Sequence, residues 1–206
     1  MRFVLASQSP ARLGVLRAAG IEPSVVVSGV DEDAVAATLT DPTPGELVTA
    51  LAAAKAEAVL ATVAGTHADA VIVGCDSMLS IDGEMLGKPG TPEVARKRWL
   101  QQAGRTGDLL TGHAVLRLEN GEPTRRATGS HTTHVRFAGM SPDEIEAYIA
   151  TGEPLNVAGA FTLDGFGGWF VEGIDGDPSS VIGISLPLTR RLLAEVGVSV
   201  IDLWAA

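Results

Sequence analysis

The sequence is short of cysteine, of positive charge and of long uncharged runs, and each shortage excludes something. A single cysteine, Cys75, rules out an internal disulfide and cannot by itself build a structural zinc site. Lys and Arg number 15 against 25 Asp and Glu, so the net charge is −10 and the pI lies near 4.8. Most of the surface must therefore repel DNA, RNA and anionic lipid, which leaves no bulk nucleic-acid or membrane partner. An anionic small substrate is compatible only if a few cations gather locally. Mean hydropathy is +0.24, yet no run approaches the roughly 18 uncharged residues of a bilayer span. Met1–Ala6 is too short an apolar stretch for a signal peptide before Ser7-Gln8-Ser9-Pro10 interrupts it. No internal repeat, low-complexity tract or Pro/Gly/Ser linker divides the chain. With 206 residues, 46% of them hydrophobic and 19% charged, it is expected to be one ordered cytoplasmic domain, residues 1–206, with two lobes.

What is present is clear punctuation. Ser9-Pro10 offers an N-cap and a first-turn proline, and Gly20 closes that helix. Thr43-Pro44-Gly45-Glu46 and Ser141-Pro142-Asp143-Glu144 read as capping boxes, predicting helices that run to about Gly65 and to Gly152. Thr91-Pro92 opens a helix ending at Gly104, and Pro187 and Gly197 bracket a fifth. Strands are predicted at Arg2–Ala6, Pro23–Ser28, Ala70–Cys75, Leu109–Leu118, Thr124–Phe137, Gly168–Val171 and Val198–Ile201. The continuous apolar run Val71-Ile72-Val73 suits a strand covered on both faces. Asn120-Gly121 suits a tight hairpin turn. Strands alternating with helices, plus one long hairpin, predict a mixed β-sheet with flanking helices, an α/β fold.

Four segments can carry chemistry. In Leu5-Ala6-Ser7-Gln8-Ser9-Pro10-Ala11-Arg12 a strand runs into a hydroxyl-rich loop that opens a helix. Its free N–H groups, the Ser7 and Ser9 hydroxyls and the Arg12 fork would suit a phosphate; alternatively Ser9 is a cap and Arg12 a surface cation. Asp31-Glu32-Asp33 is a solvated charge run unless cations and another carboxylate converge on it. Asp76 ends an apolar strand, the place where ligands gather in open α/β sheets, or else forms a strand-ending Asx turn. Neighbouring Cys75 reads as a small core residue rather than a nucleophile. Leu86-Gly87-Lys88-Pro89-Gly90 holds a lysine between turn formers, but Pro89 stands where a P-loop needs Ser or Thr, so a P-loop is rejected. Gly165-Phe166-Gly167-Gly168 lacks the strand–loop–helix setting of a dinucleotide fingerprint. His131 and His134 sit three apart in a strand, on opposite faces, and make poor joint metal ligands.

Taken in order, Leu5–Arg12, Val30-Asp31-Glu32, Ala53-Ala54-Lys55-Ala56, Asp76-Ser77, Leu86–Pro89, Thr111-Gly112, Tyr148–Pro154 and Ala158–Phe161 resemble the Maf family of nucleoside triphosphate pyrophosphatases. The resemblance spans nearly the whole chain. It implies a Maf/ITPase-like mixed α/β domain with a cleft between two lobes, often a homodimer. The implied reaction cleaves a nucleoside triphosphate between the α and β phosphates, with water attacking at the α-phosphate, and removes non-standard or excess nucleotides. By the same resemblance Asp76 is the proton acceptor and Glu32, with Asp76, holds a divalent cation, Mg2+ or Mn2+. Ser7, Ser9, Arg12, Lys55 and Lys88 bind the triphosphate. The alternative is a non-catalytic nucleotide-binding regulator of cell division, which needs the phosphate loop but not Asp76 and a metal together. Ala11, Ser77 and Asp164 depart from the dTTP/UTP branch, whereas Phe161 and Asp164 echo the 7-methyl-GTP branch, which favours a broad or purine-leaning specificity.

Overall fold

The computed structural model describes residues 1–204. In chain order the elements are β1 (Arg2–Leu5), α1 (Pro10–Ala18), β2 (Ser24–Val25), α2 (Glu32–Ala36), α3 (Pro44–Ala58), α4 (Leu60–Ala64), β3 (Asp69–Ile81), β4 (Glu84–Leu86), α5 (Pro92–Gln102), β5 (Thr106–Glu119), β6 (Glu122–Phe137), α6 (Pro142–Ala150), β7 (Val171–Asp175), α7 (Pro178–Ile182) and α8 (Leu186–Glu195), with short 3-10 turns between some of them. The strands hydrogen-bond in the order β2-β1-β3-β5-β6-β7, with β4 on β3. β1 runs parallel to β2 and β3, while β4 and β7 are antiparallel to β3 and β6. The fold is mixed α/β, as the sequence predicts. It divides into two compact units, one of Met1–Asp76, Thr111–His131 and the segment from Gly183 onward, the other of Ser77–Leu110 and Thr132–Ile182.

The first unit is layered by strand alternation. Leu5, Val73, Cys75 and Val115 face one way and pack with Leu16 of α1 and Leu188 and Leu192 of α8. Val4, Ile72, Ala114 and Leu116 face the other way, onto Ala52, Ala56, Val59 and Val63 of α3 and α4. Both faces are covered, so Val71-Ile72-Val73 is continuously apolar. Two glycines allow α3 to lie close. A Cβ on Gly74 would stand 2.9 Å from Ala56 N and nearer still to the Ala52 carbonyl oxygen, and one on Gly112 would stand 2.5 Å from Thr49 N. Pro44–Ala64 is long and apolar enough to span a bilayer by length and composition. It nevertheless breaks at Val59, buries Val48, Leu51, Ala52 and Ala56, and ion-pairs Lys55.

The second unit is built around Trp99 of α5, which has no exposed surface. Its indole N–H donates to the Ala160 carbonyl at 2.8 Å, and Phe137, Tyr148 and Phe170 meet its ring edge to face. Burying an indole requires such a partner for its N–H.

The helix starts follow the punctuation: Ser9, Thr43, Thr91, Ser141 and Ser185 are all N-caps, and the Thr43 and Ser141 boxes are complete. Asn120 (φ 56°) and Gly121 (φ 80°) make the expected hairpin turn. The strand expectations need four corrections, the first being that Pro23–Ser28 shrinks to the two residues Ser24–Val25 that pair with β1. Val198–Ile201 is not a strand: Val198 N–H closes the end of α8 on the Leu193 carbonyl, and Val200–Leu203 coils into a 3-10 turn. Gly168–Val171 is mostly a 3-10 turn, and β7 begins only at Val171. Asp82 (φ 51°) and Gly83 (φ 82°) form a second tight hairpin that extends β3 to Ile81 and adds β4.

Candidate active site

The first unit contains six of the seven predicted site residues, in two hydrogen-bonded groups. β1 ends at Leu5, and Ser7 lies buried in the loop that follows. Ser7 Oγ accepts from the Ser9 amide and from Arg12 Nη1, both at 3.1 Å. Ser9 is the cap of α1: its hydroxyl accepts from the Arg12 amide at 3.4 Å. Arg12 is not a loose surface cation. Its Nε donates to the Gly183 carbonyl at 2.8 Å. A hydroxyl loop, a helix N-terminus and a fixed guanidinium thus share one place, a setting that favours anions.

Asp76 lies within β3 rather than at its end, two residues beyond Gly74 with the same orientation, and Arg12 is near enough to lower its pKa. The close seat of α3 on Gly74 brings Lys55 to it. Lys55 Nζ sits 2.5 Å from Asp76 Oδ1 and 2.6 Å from Glu32 Oε1, so one ammonium joins a buried carboxylate to an exposed one. Glu32 is placed by α2, a helix the sequence reading treats as a loop, whose N-cap Asp31 accepts from the Ala34 amide. Asp76 is only 5% exposed. Burial raises its pKa, and it outweighs the lowering by Lys55 and Arg12 and adds to the raising by Glu32. Cys75 points into the core, where burial pushes its thiol up to about 11, so it is no nucleophile.

Lys88 belongs to the second unit, where it is exposed just beyond β4. Its loop is pinned on both sides: the Gly87 carbonyl accepts from Arg98 Nη1 at 2.5 Å and from the Gly159 amide, and the Gly90 amide donates to the Leu155 carbonyl. The same unit contains a hub that the sequence reading misses. The Glu153 carboxylate accepts from Tyr148 Oη, Thr162 Oγ1 and the amides of Phe166 and Gly167, and so folds the glycine-rich segment around itself. Its trace in the sequence is that it lies within Tyr148–Pro154, one of the segments that carry the family resemblance. His134 pairs with Asp108, not with His131.

Among the described residues, no three His, Cys, Asp or Glu side chains converge as a complete metal cage. Glu32 and Asp76 do reach one cation, the Lys55 ammonium. Two carboxylate oxygens are the donors that magnesium or manganese takes from a protein when phosphates supply the rest. The residues fit such an ion.

The model of the family described as Maf-like protein matches residues 2–196. The chain belongs to the Maf-like protein family. A Saccharopolyspora erythraea protein named nucleoside triphosphate pyrophosphatase is 72% identical to this Maf-like protein over 205 residues, covering 99% of this chain and 97% of its own. Proteins of the same name from Nocardia farcinica and Rhodococcus jostii are each 63% identical, covering 98% and 99% of this chain and 96% of their own. Of solved structures, the Staphylococcus aureus Ham1 protein matches 67% of this chain and 72% of its own, at 13% identity and a TM-score of 0.41. That likeness is distant.

Proposed function

We propose that this Maf-like protein is a nucleoside triphosphate pyrophosphatase, which hydrolyses the bond between the α and β phosphates to give a nucleoside monophosphate and pyrophosphate. The observation that supports it best is the buried Asp76 carboxylate, made more basic by its surroundings and held by Lys55. It lies in the same unit as an anion-binding loop. The names of relatives at 63–72% identity agree.

The chemistry divides among the side chains. The N-terminus of α1, Ser7 and Arg12 take phosphate oxygens and neutralise charge that grows as the bond to the leaving pyrophosphate lengthens. Asp76 Oδ2 orients a water and accepts its proton as oxygen attacks the α-phosphorus. A raised pKa helps this step, because a carboxylate closer to neutrality is the stronger base. Lys55 favours the ionised form of Asp76 against the effect of its burial. Glu32 and Asp76 would hold a divalent cation, which when bound supplies Lewis-acid neutralisation of the phosphate oxygens.

The test is a screen of standard and modified nucleoside triphosphates with separate detection of phosphate and pyrophosphate. Stoichiometric monophosphate and pyrophosphate are expected. Release of inorganic phosphate refutes the bond assignment, and tight binding without turnover returns the chain to a nucleotide-binding regulator.

A further inference from the structure

Of the four histidines only His113 is fully buried, and the mechanism above does not use it. Its surroundings fix its chemistry. The Ser185 backbone amide donates to His113 Nε2 at 2.8 Å. A backbone N–H cannot accept, so Nε2 must be a lone pair and the proton must sit on Nδ1, which donates to the Thr111 carbonyl at 3.1 Å. The ring is a rigid, neutral hydrogen-bond acceptor.

What it grips is the segment that aims Arg12. Ser185 is the N-cap of α8, its hydroxyl accepting from the Leu188 amide. Ile184 is wholly buried in the cluster with Leu5, Val73 and Val115. One residue earlier the Gly183 carbonyl accepts from Arg12 Nε, while Arg12 Nη1 donates to Ser7. Gly183 sits at φ 134°, and a Cβ there would stand 3.2 Å from Arg12 Cγ and Nε, so the arginine lies directly across this backbone. Two fixed N–H groups set the plane of a guanidinium. The bonds therefore run without a break from Thr111 through His113, Ser185 and Gly183 to Arg12.

We propose that His113 is a positioning residue for Arg12: by accepting from the Ser185 amide it fixes the Gly183 carbonyl that orients the guanidinium toward phosphate. The proposal rests on Arg12 being a phosphate ligand. A preset arginine spends no rotamer freedom when substrate arrives, and small displacements of such groups are costly.

The experiment separates positioning from mere core filling. His113→Leu removes the acceptor, and His113→Gln places an amide oxygen where it can accept from Ser185. Each is made in the wild-type and Arg12→Ala backgrounds. Steady-state kinetics use the nucleoside triphosphate that wild type turns over fastest, with tripolyphosphate binding by calorimetry alongside. We expect His113→Leu to lower kcat/KM and tripolyphosphate affinity about tenfold, a figure in keeping with one buried unsatisfied donor. His113→Gln should recover most of the loss. In the Arg12→Ala background His113→Leu should cost no more than about twofold, because coupled residues are not additive. Equal losses in both backgrounds, or no loss in the first, overturn the proposal. If His113→Leu does not fold, His113→Asn, whose shorter amide reaches the Ser185 amide less well, decides it in the same two backgrounds. If wild type turns over no nucleotide, the pyrophosphatase reading fails, and the tripolyphosphate affinities still decide the role of His113.

Discussion

Replacing Gly74 by alanine tests how the fold delivers Lys55 to Asp76. The backbone of Gly74 does not lie in the left-handed region, so alanine suits it conformationally and the perturbation is steric alone. The new Cβ would meet Ala56 N at 2.9 Å, and the Ala52 carbonyl oxygen closer still, where ordinary contact begins near 3.4 Å. Both neighbours are helix backbone, which cannot rotate away. α3 must retreat by at least half an ångström at Ala56 and by more at Ala52. Lys55 lies between these two contacts and moves with them, away from a partner now 2.5 Å distant. Overpacking of this kind costs about 1–3 kcal/mol, less ~0.4–1 kcal/mol regained from a stiffer unfolded chain. At roughly 2–4 °C per kcal/mol for a chain of this size, Tm should fall by a few degrees. Activity should suffer out of proportion, since a displacement near 1 Å at a reacting group can cost on the order of 100-fold. Thermal unfolding and kcat/KM measured on one preparation check both. A variant with wild-type kcat/KM would show that the seat of α3 on β3 does not set the Lys55–Asp76 geometry.

Asp76→Asn should keep nucleotide affinity within about tenfold while single-turnover cleavage slows by roughly 100- to 10,000-fold; unchanged cleavage removes Asp76 as the base. Lys55→Ala should raise the Asp76 pKa further, because Lys55 lowers it. Carboxyl NMR titration of chelator-treated protein should show that shift, with Asp76 losing its charge at higher pH as acid is added. In the same variant Asp76 adds stability below its unfolded-state pKa, and that contribution fades as pH rises through the elevated folded-state value. A downward shift refutes the charge assignment. Activity should vanish with chelator and return with magnesium or manganese, and Glu32→Gln should raise the half-saturating metal concentration; full activity in chelator refutes the metal role of Glu32 and Asp76.

Local chemistry explains what could be read in advance. Helix starts were legible because Ser9, Thr43, Thr91 and Ser141 combine a cap with a proline one residue later, a signal needing no tertiary context. The fate of Val198–Ile201 was not, because a β-branched run is equally suited to strand pairing and to closing a helix against a core. Within the site, Ser7 stands just beyond the end of β1, as the pattern suggests, whereas Asp76 does not end its strand: β3 runs on to Ile81, because the Asp82-Gly83 hairpin gives its second half β4 as a partner. That one lysine would join Glu32 to Asp76 depends on how closely α3 lies, which only the missing side chains of Gly74 and Gly112 permit. His113 and Gly183 act over 171 residues of separation from Arg12 in the Gly183 case, and no local pattern encodes such a pairing.

The burial of Cys75 gives the protein an internal clock. Its thiol is shut among Leu5, Val73, Val115 and Leu192, and it is held protonated well above neutral pH. A water-soluble alkylating reagent can therefore react only with molecules in which this layer has parted. Where reclosing outpaces alkylation, the labelling rate measures the free energy of opening; with fast reagents it measures the opening rate itself. The same layer includes Ile184 and the flank of α8, so mass spectrometry of one adduct would time the loosening of the arginine's anchor. No engineered probe is required.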